Sequence, residues 1–146
     1  IPRERMKKKR EHVVPLTPQT AALLDVMRPI SGHLEHVFPS QRDPSKHANG
    51  GSPNVALKRM GFQDALTAHG MRALASTTLN EQSFDYDVIE MALAHIDKNE
   101  TRRSYNHAKY LPQRRVMMEW WSQQIEDAAT GNMSMASTTR GIRAIN

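Results

Sequence analysis

Helix-start signals precede most of the apolar runs in this chain. Thr17-Pro18 predicts a packing helix up to Pro29, because a threonine cap followed by proline at the first helical position favours helix initiation. Its broad apolar face comprises Ala21, Leu23, Leu24, Val26 and Met27. Ser52-Pro53 repeats the signal before a shorter helix that Gly61 ends. The first half of the chain is therefore predicted to contain two helices.

Three further helices are predicted in the second half. The first follows Thr67, and its buried stripe comprises Met71, Leu74, Ala75, Thr78 and Leu79. Asp85 is the predicted cap of the next helix, with Phe84 and Ile89 spaced as a hydrophobic staple. Pro112 opens the last helix, whose apolar face comprises Val116, Met117, Trp120, Trp121 and Ile125.

Extended structure is predicted mainly at the N-terminus. Residues 1–17 combine a basic run with the β-prone segment His12-Val13-Val14, which indicates a two-stranded hairpin with its turn near Lys8 to Arg10. Residues 36–39 read as a short strand, and the polar residues 40–51 as a mobile loop. Residues 128–146 have no apolar period and predict a tail. The fold class is mainly α with a small β hairpin, that is, α+β.

The charge of the chain favours an anionic partner. There are 146 residues with 20 Lys and Arg against 15 Asp and Glu, and the sequence pI is near 9.8. Residues 1–12 carry six of the bases and residues 98–115 carry six more. A solvated charge run or a localisation-type patch is the alternative explanation for the first cluster. The length favours one domain with one core, and Ile1 in place of an initiator Met suggests a piece of a longer protein.

Four side chains between Thr67 and Tyr110 suit chemistry on a phosphodiester. His69 and Arg72 lie three apart at the start of one predicted helix, His95 ends the next, and Tyr105 follows in a basic segment. A guanidinium and an imidazolium can hold the extra negative charge of five-coordinate phosphorus, and a phenol can be the nucleophile. Each feature alone has a structural alternative, since helix-start histidines, helix-end histidines and half-buried tyrosines are common.

Metal chemistry has weaker support. The chain has no cysteine, so thiolate sites and disulfides are excluded. His33, His36 and His47 lack a carboxylate spaced to complete a zinc shell and are predicted to be surface residues. A metal-dependent nuclease would need paired carboxylates, and Asp85, Asp87 and Glu90 are better explained as first-turn helix acids. No apolar run approaches the roughly 20 residues of a membrane span.

In their order and spacing these motifs resemble those of the tyrosine recombinases, and most of all the integrases of satellite phages and genomic islands. The resemblance is carried by R-M-K, H-V-V-P-L, V-F-P-S, H-G-M-R, L-N-E, V-I-E-M-A-L-A-H and Y-N-H-A-K-Y, and it extends from residue 5 to about residue 121. It implies site-specific DNA integration and excision through a 3′-phosphotyrosine intermediate, without a cofactor or a metal.

The resemblance also implies a role for each matching residue. Tyr105 would attack the scissile phosphate, Arg72 would clamp its non-bridging oxygens, and His95 would hydrogen-bond to it. His69 would assist proton transfer. Lys7, eight residues before the proline of V-P-L, matches the hairpin lysine that protonates the leaving 5′-oxygen, with Lys8 and Lys9 as alternatives. The DNA-binding residues would be Lys8, Lys9, Arg10, Arg102 and Arg103.

The chain departs from the family pattern in one respect. The family has another catalytic arginine upstream of the hairpin, and no residue here matches it. Residues 1–127 are therefore expected to be an N-terminally truncated catalytic domain, and residues 128–146 a tail. The implied partners are double-stranded attachment-site DNA, a homotetramer formed on that DNA, and accessory DNA-bending or excision proteins, in the bacterial cytoplasm at the nucleoid. A plain DNA-binding module stays open, because it would need only the basic clusters.

Overall fold

The computed structural model describes residues 1–6, 9–95 and 109–131, and this part of the chain is mostly helical. Within these ranges, five α-helices follow a short 3-10 helical turn at Arg3–Arg5: α1 (Pro18–Ser31), α2 (Ser52–Leu57), α3 (Ala68–Glu81), α4 (Tyr86–Ala92) and α5 (Leu111–Ala129). The chain divides into two compact units. The terminal unit comprises Ile1–Thr17 and Ser76–Asn146, and the middle unit comprises Pro18–Ala75.

The terminal unit has a core built from the end of α3, α4 and α5. Leu79, Val88, Ile89 and Met117 form its buried cluster, and Ile89 and Met117 are completely inaccessible. Phe84 packs against this cluster and contacts Trp120 with ring centroids 5.3 Å apart. Removing each such side chain from water stabilises the folded unit by about 1.5–3 kcal/mol.

The predicted inward face of α5 is confirmed in part, because Met117 is buried and Trp120 and Trp121 pack against the core. Arg114 and Met117 are buried and Met118 and Trp121 half-buried, at the spacing of one helical stripe. Val116 and Ile125, which the apolar pattern placed inside, are 63% and 53% exposed. An arginine thus holds the first inward position, which a count of apolar residues does not find.

The predicted N-terminal hairpin is not confirmed. Arg3–Arg5 forms a helical turn, and Lys7 and Lys8 at the predicted bend lie outside the described residues. Ile1 and His12 nevertheless exchange two backbone hydrogen bonds, of 2.8 and 3.0 Å. Such a reciprocal pair is the arrangement of opposed residues in antiparallel segments, although the described residues contain no β-strand.

The middle unit contains α1, α2 and the start of α3. Helix α1 continues two residues past the predicted end at Pro29, to Ser31, whose buried hydroxyl donates to the carbonyl of Val37 at 2.6 Å. Leu23 and Val26 of this helix are 68% and 64% exposed, so the prediction that they pack inward is wrong. The apolar face of α1 is only partly covered.

Hydrogen bonds close the segment that was predicted to be a short strand and a mobile loop. Pro39 and His47 form an isolated antiparallel bridge, with the amide of Ala48 donating to the carbonyl of Phe38 at 2.7 Å. Lys58–Phe62 continue α2 as a π-helical turn, and the helical backbone breaks at Gly61, as the sequence predicted. Gly61 has a φ of 90°, which glycine adopts without the steric cost that other residues incur.

Candidate functional site

Two hydrogen bonds fix the start of α3, the helix that carries His69 and Arg72. The hydroxyl of Thr67 accepts from the amide of Gly70 at 2.9 Å, and the side-chain oxygen of Asn54 accepts from the amide of Ala68 at 2.8 Å. These acceptors satisfy amides that have no partner within the helix. The first turn of α3 is therefore held firmly, and His69 lies within it.

His69 and Arg72 lie on the same side of this helix. They are three residues apart, a spacing that makes side chains neighbours on a helix surface. Both are exposed. The structure thus brings these two predicted residues together on one accessible helix face of the middle unit, where both can reach a single anionic group.

A helix-capping motif sets the position of His95 just beyond α4. The amide of His95 donates to the carbonyl of Glu90 at 2.9 Å, and the amide of Ala94 donates to the carbonyl of Met91 at 3.2 Å. Ala94 has a φ of 52°. This pattern of hydrogen bonds around a left-handed residue is a Schellman motif, which usually has glycine at that position. The chain therefore turns sharply at Ala94, and His95 comes back towards the last turn of α4.

The side chain of Glu90 holds the imidazole of His95. Both carboxylate oxygens lie 3.0 Å from Nδ1 of His95. The prediction that Glu90 is a first-turn acid is therefore wrong, because it lies in the last turn of α4 and pairs with the histidine five residues later. The sequence feature that could have indicated this contact is a carboxylate five residues before a helix-end histidine. On a continuing helix, two side chains five residues apart do not face each other. Glu90 and His95 come into contact only because the chain turns at Ala94.

The remaining predicted site residues are placed as follows. Lys9 and Arg10 are exposed in the terminal unit. Lys7, Lys8, Arg102, Arg103 and Tyr105 lie outside the described residues. His95 belongs to the terminal unit, whereas His69 and Arg72 belong to the middle unit. The meeting of these residues around one phosphate stays a prediction.

Arg114, a member of the second basic cluster, is buried rather than available to a partner. It is 2% exposed, and its guanidinium donates to the carbonyls of Val13 and Lys109. Burial lowers the pKa of this guanidinium, which nevertheless remains charged in proteins. Its Nε has no hydrogen-bond acceptor among the described residues. This charge serves the internal structure of the unit, so the basic cluster has a structural as well as a surface component.

The acids of α4 have structural roles that agree with two of the three predictions. Asp85 accepts from the amides of Asp87 and Val88 at 2.8 and 3.2 Å and so caps the helix, while Asp87 lies in its first turn.

In the described part of the chain, no three His, Asp or Glu residues are grouped to hold a metal ion. The rings of His36 and His47 contact each other edge-on, with centroids 5.8 Å apart.

Helices able to cross a membrane are absent from the described residues, since none combines the required length and apolar character.

The middle unit has an open groove between α1, α2 and the segment that follows α1. Its lining includes Met27, Phe38 and Val55, with Arg42 and Arg59 at the same groove. None of the predicted catalytic residues contributes to it.

Comparison with known proteins assigns the chain to a family. Residues 1–111 match the phage integrase family. Over 140 residues the chain is 47% identical to the prophage integrase IntA of Escherichia coli strain K12, covering 96% of this chain and 34% of that protein. It is 37% identical over 125 residues to the integrase of Enterobacteria phage P4, covering 83% and 28% of the two chains. It is also 35% identical over 123 residues to the integrase of Shigella phage Sf6, covering 84% and 32%.

The chain belongs to the phage integrase family, which confirms the resemblance found in its motifs. It spans about a third of the length of the curated relatives that it matches. No solved structure matches it. The mostly helical architecture of the described residues is consistent with the catalytic domain expected for this family.

Proposed function

We propose that this chain is part of an integrase that recombines DNA at specific sites through a covalent bond to Tyr105. The observation that carries the proposal is the family match over residues 1–111, a range that includes Lys7, His69, Arg72, His95 and Tyr105. The exposed pair on α3 supports it, because a guanidinium and an imidazole are neighbours on one surface.

The proposed reaction is a transesterification in two directions. The phenolic oxygen of Tyr105 bonds to the scissile phosphorus while the bond from phosphorus to the 5′-oxygen breaks. His69 assists removal of the phenolic proton, and Lys7 gives a proton to the leaving 5′-oxygen. Attack by the 5′-hydroxyl of a partner strand then re-forms a phosphodiester and releases the phenol. The bond energy is conserved, so the balance needs neither ATP nor another cofactor.

Charge stabilisation falls to Arg72 and His95. The phosphorus carries extra negative charge when five oxygens surround it, and donors already in position stabilise that state without further reorganisation. The guanidinium of Arg72 can bind two phosphate oxygens at once. Since Nδ1 of His95 contacts Glu90, His95 would bind the phosphate through Nε2.

DNA is the proposed substrate and main partner. Lys8, Lys9, Arg10, Arg102 and Arg103 would contact phosphates, which position a protein on DNA without reading its sequence. On DNA the N-terminal segment would complete the hairpin that the reciprocal pair of Ile1 and His12 begins. A homotetramer on the attachment sites, accessory DNA-bending or excision proteins and action at the bacterial nucleoid belong to the same proposal.

We further propose that residues 1–127 are the C-terminal part of the catalytic domain and residues 128–146 a tail. The relatives are about three times as long as this chain, and the family's additional arginine has no match here. Loss of one preorganised donor slows a reaction of this kind by roughly a hundred- to a thousandfold. Residues 1–146 alone should therefore fold but not recombine DNA.

The test is a strand-transfer reaction on matched attachment-site DNA, with residues 1–146 alone and joined to the native upstream segment. We expect recombination only by the longer protein, its loss in Tyr105→Phe and its persistence in the presence of EDTA. DNA binding without any strand transfer by the longer protein would instead identify a DNA-binding fragment. Loss of activity in EDTA would contradict the metal-free mechanism.

A further inference from the structure

We propose that Glu90 is a positioning residue that orients His95 for the scissile phosphate. This inference rests on the proposed function, in which His95 contacts that phosphate. Both carboxylate oxygens of Glu90 lie 3.0 Å from Nδ1 of His95. Both residues lie in the terminal unit, at the end of α4.

Glu90 holds His95 at two points. Its backbone carbonyl accepts from the amide of His95 at 2.9 Å, and its carboxylate accepts from the ring. The first contact fixes the backbone through the left-handed turn at Ala94, and the second fixes the ring. The side chain of Glu90 is 26% exposed and that of His95 is 44% exposed, so the imidazole is the more accessible of the two groups.

The chemistry of the two groups decides which ring nitrogen is available. An ionised carboxylate only accepts hydrogen bonds, so Nδ1 must carry a proton. A phosphate oxygen also only accepts, so Nε2 must carry a proton as well when it contacts the phosphate. His95 is then an imidazolium, and the carboxylate of Glu90 balances its charge. At other histidine sites, a hydrogen bond from one ring nitrogen to a carboxylate fixes the orientation and the tautomer of the ring.

The first test measures the rate of covalent DNA cleavage by the full-length protein on a suicide substrate. We expect Glu90→Ala to slow cleavage by about ten- to a hundredfold, because misplacing a reacting group by about 1 Å can have an effect of this size. Glu90→Gln should lose less, since its amide oxygen still accepts from Nδ1. Glu119→Ala, which removes an exposed acid on α5, is the matched control and should cleave at the wild-type rate.

A double-mutant cycle separates positioning from a general structural effect. If Glu90 acts through His95, adding Glu90→Ala to His95→Ala should not slow cleavage further. Additive losses, or a wild-type rate in Glu90→Ala, would overturn the inference. Thermal melts of all variants check folding, and the near-isosteric Glu90→Gln keeps the test valid if the alanine variant unfolds. Absence of any Tyr105 adduct in the wild-type protein would instead refute the proposed function.

The second test does not depend on activity. Nitrogen-15 NMR of the histidine rings reports which nitrogen carries the proton, and the signals of His95 are those missing from His95→Ala. We expect Nδ1 of His95 to be protonated in the wild-type chain and this preference to weaken in Glu90→Ala. The same Nδ1 protonation in both proteins would contradict the inference.

Discussion

The guanidinium of Arg114, in the first turn of α5, donates a hydrogen bond to the backbone carbonyl of Val13, 101 residues earlier in the chain. Thr17 and Ser122 share a hydroxyl hydrogen bond of 2.8 Å along the same pair of segments. The N-terminal segment is thus fastened to α5. Lys7 and Tyr105, the proposed proton donor and nucleophile, precede these two segments in sequence. Arg114 therefore links the segment that follows Lys7 to the helix that follows Tyr105.

Replacing Arg114 should destabilise the terminal unit. Arg114→Ala removes a charged hydrogen bond to the carbonyl of Val13, a type of bond worth about 1.5–3 kcal/mol, together with a long one of 3.4 Å to Lys109, and leaves a cavity. We expect the free energy of unfolding to fall by about 2 kcal/mol or more in urea titrations. Arg115→Ala is the matched control, because this exposed neighbour makes one long hydrogen bond of 3.4 Å to Leu16 and should change stability by less than about 0.5 kcal/mol. Equal effects of the two substitutions would contradict a special role for Arg114.

Glycine in place of Ala94 should stabilise the protein. A non-glycine residue with left-handed backbone geometry costs roughly 1–2 kcal/mol, and Ala94 has a φ of 52°. Relief of this strain is partly offset, because glycine has more conformational entropy in the unfolded chain. We therefore expect the free energy of unfolding to rise by a few tenths to about 1 kcal/mol. Ala92→Gly, inside the last turn of α4, should instead cost about 0.5–1 kcal/mol. Chemical unfolding of both variants checks this, and a loss of stability in Ala94→Gly would contradict the strain.

DNA binding by residues 1–146 should be weak, little dependent on sequence and steeply dependent on salt. Each neutralised phosphate contributes about −0.9 to the slope of log K against log salt. We expect the Lys9→Gln/Arg10→Gln double variant to have a shallower slope than the wild type. Lys46→Gln is the control, since Lys46 pairs with Asp43 in the middle unit. Fluorescence anisotropy titrations measure the slopes, and a flat response would count against a surface that follows phosphates.

Features that depend on near neighbours could be predicted from the sequence. The cap at Asp85, the packing of Phe84 against the cluster that contains Ile89 and the break in the helical backbone at Gly61 are all confirmed, because each depends on a few adjacent residues. The same holds for His69 and Arg72 on one helix face, which needed only the 3.6-residue period. The presence of the helices and their local capping contacts can therefore be predicted from this sequence.

Features that depend on distant segments could not be predicted. Arg114 points inward because carbonyls of Val13 and Lys109 accept from it, and a polarity pattern assigns arginine to the surface. Glu90 meets His95 only through a left-handed alanine, where sequence rules expect glycine. Leu23 remains exposed in a helix whose pattern predicted burial, since periodicity does not indicate how much of a face its neighbours cover.

The most direct measurement of the proposed chemistry is mass-spectrometric mapping of the covalent adduct on a suicide DNA substrate. The full-length protein should form a 3′-phosphotyrosine adduct on the peptide that contains Tyr105. Tyr105→Phe should abolish the adduct and leave DNA binding within about twofold, because the substitution removes only the hydroxyl. Tyr86→Phe and Tyr110→Phe are the controls and should still form it. An adduct that persists in Tyr105→Phe, or that maps to Tyr86 or Tyr110, would contradict the assignment of the nucleophile.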